Sequence, residues 1–264
     1  MKGAINLKDT LETAVQIAKE AGKIIRENLG KALQVEYKGK RDLVTEIDKR
    51  CEELIYKKIG CAFPRHGFMG EEGTRKSGED EYVWIVDPLD GTTNFTHGYP
   101  FVAVSLALEF KGKIILGVVH DPILKETFAS IKGKGASLDC KPIHVSKSDD
   151  ISKSLLATGF SYDFKQDPGL QIKLFDEFIM LAQAVRRDGA AALDLCYIAM
   201  GRFDGFWEMK LHPWDTAAGV LILKEAGGVA TDFKGKDYSI YDQEIIASNG
   251  LLHKPIVEAI SKHI

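Results

Sequence analysis

The stretch Trp84-Ile85-Val86-Asp87-Pro88-Leu89-Asp90-Gly91-Thr92-Thr93-Asn94-Phe95 drives an apolar strand into a turn that carries two carboxylates and two hydroxyls. Tyr82 to Val86 are aromatic and β-branched residues of the kind that fill a buried strand. Pro88 has no N–H and a fixed φ, which predicts that the ladder stops there and that Asp87 ends the strand. Gly91 permits a backbone conformation closed to other residues, so the N–H groups of Gly91, Thr92 and Thr93 can point at an anion. Carboxylates for cations beside donors for an anion describe a metal-phosphate site.

Upstream, Gly70-Glu71-Glu72-Gly73 supplies two more acids between small residues; far downstream, Trp214-Asp215-Thr216-Ala217-Ala218-Gly219 supplies another at the start of an apolar helix. The whole set is acidic and rich in oxygen. Magnesium favours near-octahedral oxygen ligands and works with a few carboxylates plus substrate phosphate, whereas zinc sites favour the Cys and His that this set lacks. Magnesium is therefore the expected ion.

These three segments resemble the signature segments of the inositol monophosphatase family, and the likeness covers nearly the whole chain. It takes in Asp42-Leu43-Val44-Thr45-Glu46-Ile47-Asp48, Phe101-Val102-Ala103-Val104-Ser105, Gly189-Ala190-Ala191-Ala192-Leu193-Asp194 and Glu225-Ala226-Gly227-Gly228. The resemblance implies an α+β to α/β fold layered α-β-α-β-α, and magnesium-dependent hydrolysis of myo-inositol monophosphate with two or three ions. It implies that Glu71, Asp87 and the Leu89 carbonyl bind the first ion, that Asp87, Asp90 and Asp215 hold the second, and that a weaker third lies near Glu71. Thr92 and Asp48 would orient the attacking water, with Glu71 counted among the catalytic residues and Glu72 placed second to it. Substrate contacts carry over to Asp90, Gly91, Thr92, Asp215, Glu208 and the backbone around Gly189, Ala190 and Ala191. Ala190 departs from the hydroxyl residue often found there. Lithium sensitivity and a homodimer, with a tetramer as the alternative, are further implications.

The same residues have plainer readings. Asp48 and Asp215 each stand where an acid favours a helix start, and taken singly each would read as structural. Thr92 and Thr93 could merely cap a helix, and Asp188 and Asp194 read as structural acids. Lys38-Gly39-Lys40-Arg41 is polar and contains glycine, which suggests a flap near the metals. The seven histidines show no metal-ligand spacing and read as surface or packing residues, as Trp214 reads as a packing anchor. Cys51, Cys61, Cys140 and Cys196 lack Cys-x-x-Cys spacing and read as buried thiols.

At 264 residues and 45% hydrophobic content the chain can bury a sizeable core. A formal net charge of -3 gives no electrostatic reason to expect nucleic acid or an anionic membrane as partner. No apolar leader or membrane-length stretch is visible, so a soluble, unexported protein is expected, and the resemblance implies a cytoplasmic enzyme acting on a small phosphate monoester. Helical spacing runs from Leu7 to Leu29, and a second helix begins near Thr45 and ends before Gly60. Strands over 101–110, 113–120 and 124–131 predict an antiparallel sheet, and near Ser146 the pattern changes to alternating strand and helix. This divides one compact unit into an N-terminal α+β half, 1–145, with most metal ligands, and a C-terminal α/β half, 146–264, with Asp215 and substrate contacts. Rival readings keep the chemistry and change the substrate to fructose 1,6-bisphosphate or a nucleotide bisphosphate, or make the chain a regulatory binding protein. A calcium-binding structural module fits less well, because no EF-hand loop is present.

Overall fold

The computed structural model describes residues 5–31, 35–37, 43–161 and 169–264. Helix α1 (Leu7–Asn28) starts where the Asn6 side chain accepts from the Lys8 N–H, and it buries a stripe of Ala14, Ile17, Ala18, Ala21 and Ile25. Strands β1 (Val35–Tyr37) and β2 (Leu43–Thr45) pair antiparallel and lead straight into α2 (Glu46–Ala62). The expected stop at Gly60 is passed. That glycine faces open space, where it costs about 1 kcal/mol against alanine, and the helix continues to Ala62.

A large sheet follows, built from β3 (Gly67–Gly70), β4 (Arg75–Lys76), β5 (Tyr82–Asp90), β6 (Ala103–Phe110), β7 (Lys113–Asp121), β8 (Glu126–Ile131), β9 (Ala136–Leu138) and β10 (Lys141–Ile143), with the short helix α3 (Thr92–Thr96) between β5 and β6. Its order is β10-β9-β8-β7-β6-β5-β3-β4. Neighbours are antiparallel except β3 and β5, which run parallel and so end side by side. The second sheet holds β11 (Leu155–Thr158), β12 (Ala184–Arg186), β13 (Gly205–Met209), β14 (Val229–Thr231) and β15 (Glu244–Ser248) in the order β12-β11-β13-β15-β14, parallel on one side of β13 and antiparallel on the other. Helices α4 (Gly169–Leu181), α5 (Ala191–Ala199), α6 (Pro213–Glu225) and α7 (His253–Ser261) cover its two faces.

Side-chain alternation decides the layers. On β5, Trp84 and Val86 point to α1 and α2, while Ile85 between them points to a second core shared with α5 and α6. The other side of that core is the small sheet, through Ala157, Phe206, Ile245 and Ala247. Leu156, Trp207 and Ile246 face outward from the small sheet, onto Leu174 and Phe178 of α4 and Ile256 and Ile260 of α7. The layers thus run helix, sheet, helix, sheet, helix, as the family likeness implies.

Two predicted features are corrected. Strand β5 does not stop at Pro88; it continues to Asp90, with the register shifting between Asp87 (opposite Ser105) and Asp90 (opposite Ala103). A proline is tolerated at such a bulge because the ladder bond it cannot donate is already absent. Of the four free cysteines, Cys51 and Cys196 are buried as expected, but Cys61 and Cys140 are exposed. Among the described residues no helix is long and apolar enough to cross a membrane.

Helix α6 is wedged between the large sheet and α5 at glycine. A Cβ on Gly117 of β7 would stand 2.9 Å from the Ala218 carbonyl oxygen, and one on Gly219 would stand 2.8 Å from Leu195 Cβ. Backbone cannot yield as a flexible side chain does. Gly117→Ala should therefore destabilise the chain by about 1–3 kcal/mol, read as a lower urea midpoint at unchanged slope.

Candidate active site

The parallel pairing of β3 and β5 brings Glu71 beside Asp87. Gly70 lies opposite Val86, and the Glu71 N–H donates to the Val86 carbonyl at 3.1 Å. At the bulge Asp87 turns back on its own turn, where its Oδ1 accepts from the Leu89 N–H at 3.0 Å. Gly91 then reverses the chain at φ +90°, and a Cβ there would stand 2.9 Å from the Phe101 carbonyl oxygen, so the turn admits only glycine. Thr92 opens α3 directly above Asp48.

Asp48 and Asp215 do what the plainer reading expects. Each is the third residue of its helix and accepts from the N–H of the residue that precedes the helix: Thr45 to Asp48 Oδ2 at 2.9 Å, His212 to Asp215 Oδ2 at 2.6 Å. Asp48 does more with its other oxygen, which accepts the Thr92 hydroxyl at 2.8 Å, while Oδ2 also takes the Thr45 hydroxyl. Burial pushes the Asp48 carboxyl up, and these hydroxyl bonds hold it back. It is wholly buried and reaches the cavity through Thr92.

The cavity, of about 210 Å³, is lined by Glu71, Asp87, Leu89, Asp90, Gly91, Thr92, Thr93, Gly189, Ala191, Glu208 and Asp215. That is below the roughly 300–1,000 Å³ of drug-sized ligand sites and suits a small polar substrate. Ala190 is not among the lining residues: as the residue before α5 it turns its methyl into the core, and the contact expected there is one of the backbone. Glu72 is not among them either. The segment 38–41, read as a flap, lies outside the described residues. Arg187, Lys210, His212 and Trp214 line the cavity without having been singled out for it, and only the fold brings them there. His212 stacks on Trp214 at 4.9 Å, and Arg75 lies 5.3 Å from the other ring's centroid, so Trp214 is both packing anchor and cavity wall.

Two contacts join the halves of the cavity. Asp90 Oδ2 accepts from the Ala192 N–H at the start of α5, at 2.8 Å. The Asn94 amide donates to the Phe101 and Asp188 carbonyls at 2.8 and 2.7 Å, which ties α3 to the turn at Gly189. The Glu208 carboxyl lies against Gly159, the residue after the neighbouring strand β11, where any side chain would collide with it.

Burial raises Asp87 and Asp90 well above the usual carboxylate range; Glu71, Asp90 and Asp215 push Asp87 further, and Asp215 and Glu71 push Asp90. Burial also takes Glu208 up to about 8, with Arg187 pulling the other way. Asp87 additionally shares a hydrogen bond with Glu71. Among the described residues the acids converge on the cavity without closing into a finished group of three ligands. The donor set nonetheless fits a hard divalent cation: oxygen throughout, crowded negative charge, and no thiolate or imidazole at its centre.

A carboxyl raised in the folded state keeps a proton that the unfolded chain has released, so its stabilisation is present at low pH and is lost as pH rises through the folded value. Burial lowers His66, His120 and His253, His120 to about 4, so they act with the opposite sign at lower pH. Above that, Glu208 at about 8 and the other raised acids set the trend, and the buried thiols Cys51 and Cys196, also raised by burial, add to it with the same sign. Calorimetry on chelator-treated protein should therefore show Tm falling from pH 7 to 8.5, and millimolar magnesium should raise Tm more at pH 8.5 than at pH 6.

The family model described as "Inositol monophosphatase family" matches residues 6–264. Inositol monophosphatase 3 of Solanum lycopersicum is 43% identical over 97% of this chain and 98% of its own length. The protein named Nus factor SuhB of Pseudomonas aeruginosa is 38% identical over 98% of both. The solved inositol monophosphatase of Anabaena (Nostoc) superposes with a TM-score of 0.89 at 38% identity, over 98% of each chain.

Proposed function

The chain belongs to the inositol monophosphatase family and is a phosphoric monoester hydrolase, and from that footing we propose that it hydrolyses myo-inositol monophosphate with magnesium. The observation that carries this reading is the meeting of Glu71, Asp87, Asp90 and Asp215, from three separate motifs, in one small cavity beside Thr92. Glu71, Asp87 and the Leu89 carbonyl would hold one ion, and Asp87, Asp90 and Asp215 another, with Asp87 shared. Bound magnesium supplies Lewis acidity and neutralises charge around the phosphoryl group, for an ester whose uncatalysed hydrolysis is among the slowest reactions known.

The chain's own groups do the aiming. The Thr92 hydroxyl has one proton and two acceptors in reach, Asp48 Oδ1 at 2.8 Å and the Leu89 carbonyl at 3.1 Å. Donating to Asp48 leaves the Leu89 carbonyl free for a cation and leaves the Thr92 lone pairs facing the cavity, where they accept a proton of the attacking water and fix its direction. Buried Asp48 is a stronger acceptor than an exposed aspartate and keeps that hydroxyl turned. The N–H groups at Gly91, Thr92 and Thr93 serve the phosphate. Glu208 and the backbone at Gly189 and Ala191 serve hydroxyls of the departing polyol.

Asp90→Asn removes a charged oxygen at nearly constant volume. It should lower kcat/KM at least about 100-fold at limiting magnesium while leaving the circular dichroism spectrum unchanged. Comparing kcat/KM for inositol 1-phosphate, fructose 1,6-bisphosphate and adenosine 3′,5′-bisphosphate decides the substrate; a clear preference for either bisphosphate would replace inositol monophosphate in this reading. A lithium titration with magnesium present should show inhibition. Cytoplasmic location and a homodimer, with a tetramer as the alternative, complete the proposal, and light scattering decides the assembly.

The relative named Nus factor SuhB favours a second role alongside hydrolysis. In that reading Asp90→Asn retains a macromolecular partner that pull-down from its own organism recovers with the wild type.

A further inference from the structure

Glu52 belongs to none of the three acidic motifs, yet it is 2% exposed and lies one helical turn beyond Asp48 on the same face of α2. Its two oxygens are divided between two backbone donors across the chain. Oε2 accepts from the Glu72 N–H at 2.8 Å and Oε1 from the Thr74 N–H at 3.0 Å. Those donors belong to the turn that carries Glu71. Gly70 lacks a side chain at the one place where a Cβ would collide with the Glu52 carboxylate, so the approach is built from both sides.

The turn has further braces. The Gly70 N–H donates to the Thr74 carbonyl at 2.9 Å, and Arg75 donates to the Gly70 carbonyl while its guanidinium lies over Trp214. Without Glu52, the Glu72 and Thr74 N–H groups would lose the acceptor that holds the turn in place. The turn would then settle elsewhere and take Glu71 with it.

We propose that Glu52 is a positioning residue that sets Glu71 for cation binding, a role that rests on the metal-site reading above. Helix α2 would then act as a jig: Asp48 aims the Thr92 hydroxyl and Glu52, one turn on, aims the Glu71 turn. Partners outside the ligand shell characteristically change metal affinity by 10- to 100-fold when removed.

Magnesium binding to the metal-free, full-length chain, followed by titration calorimetry, tests this on Glu52→Gln, which keeps the shape but leaves one acceptor oxygen for two donors. Affinity should fall 10- to 100-fold, and kcat at saturating magnesium should recover toward the wild type. Unchanged affinity with a lowered metal-free Tm would make Glu52 a stability residue only and overturn the proposal. Glu71→Gln, run in parallel, separates the two readings. If it binds magnesium as the wild type does, the metal-site reading fails; if it is weakened while Glu52→Gln is not, only the Glu52 role fails. Should Glu52→Gln not fold, amide exchange on the wild type decides: coupling is reciprocal, so magnesium should slow exchange at the Glu72 and Thr74 amides, and identical rates with and without it would overturn the proposal.

Discussion

Asp87 and Asp90 are held beneath the surface with Glu71 and Asp215 near enough to drive both carboxyls well above the usual carboxylate range. Like charges in a space of low polarity repel strongly, and only rigid surroundings keep them together. The architecture supplies that rigidity from several directions. The parallel pair β3 and β5 fixes Glu71 against Asp87, the bulge at Pro88 sets Asp87 and Asp90 on one turn, and α6 is locked against the large sheet at Gly117 so that Asp215 meets them.

The cavity lies where the two sheets' contributions meet, over the core that they share with α5 and α6. Asp90 reaches the first free N–H groups of α5, and Asn94 reaches the backbone at Asp188. Asp90 ends β5 and Asn94 lies in α3, so both stand on the same reversal of the chain around Gly91. In the proposed reading one reversal of the chain would gather cations, receive phosphate and clamp the polyol side of the cavity, which accounts for so long a run of its residues reading as a motif.

Much of this was legible in the chain because the acids sit at element ends, where local rules operate. Thr45 with Asp48, and Asp215 ahead of an apolar run, announce helix starts, and both helices begin there. The alternation of Trp84, Ile85 and Val86 announces a strand with two buried faces. Pro88 misled, because a bulge removes the objection to proline within a strand. The three-residue strands β9, β10, β12 and β14 were too short to show a period, and β10 contains Pro142, which an edge position tolerates. Glu52 looked like any polar residue on a charged helix, since its donors are twenty and more residues away. Arg187 and His212 join the cavity wall through tertiary packing alone.

The double duty of Asp48 and Asp215 divides the acids into two kinds under mutational drift. Exchanging either for a residue that cannot accept from the preceding N–H frays a helix and forfeits about 0.5–2 kcal/mol, so loss of chemistry there carries a penalty in folding. Exchanging Asp87 or Asp90 for its amide keeps an oxygen for the Leu89 or Ala192 N–H and relieves the crowding of acids, so the variant would be the sturdier protein wherever cations are scarce. A lineage released from selection for turnover would thus shed its central acids first and keep the helix-end pair longest, as a fossil of the abandoned reaction.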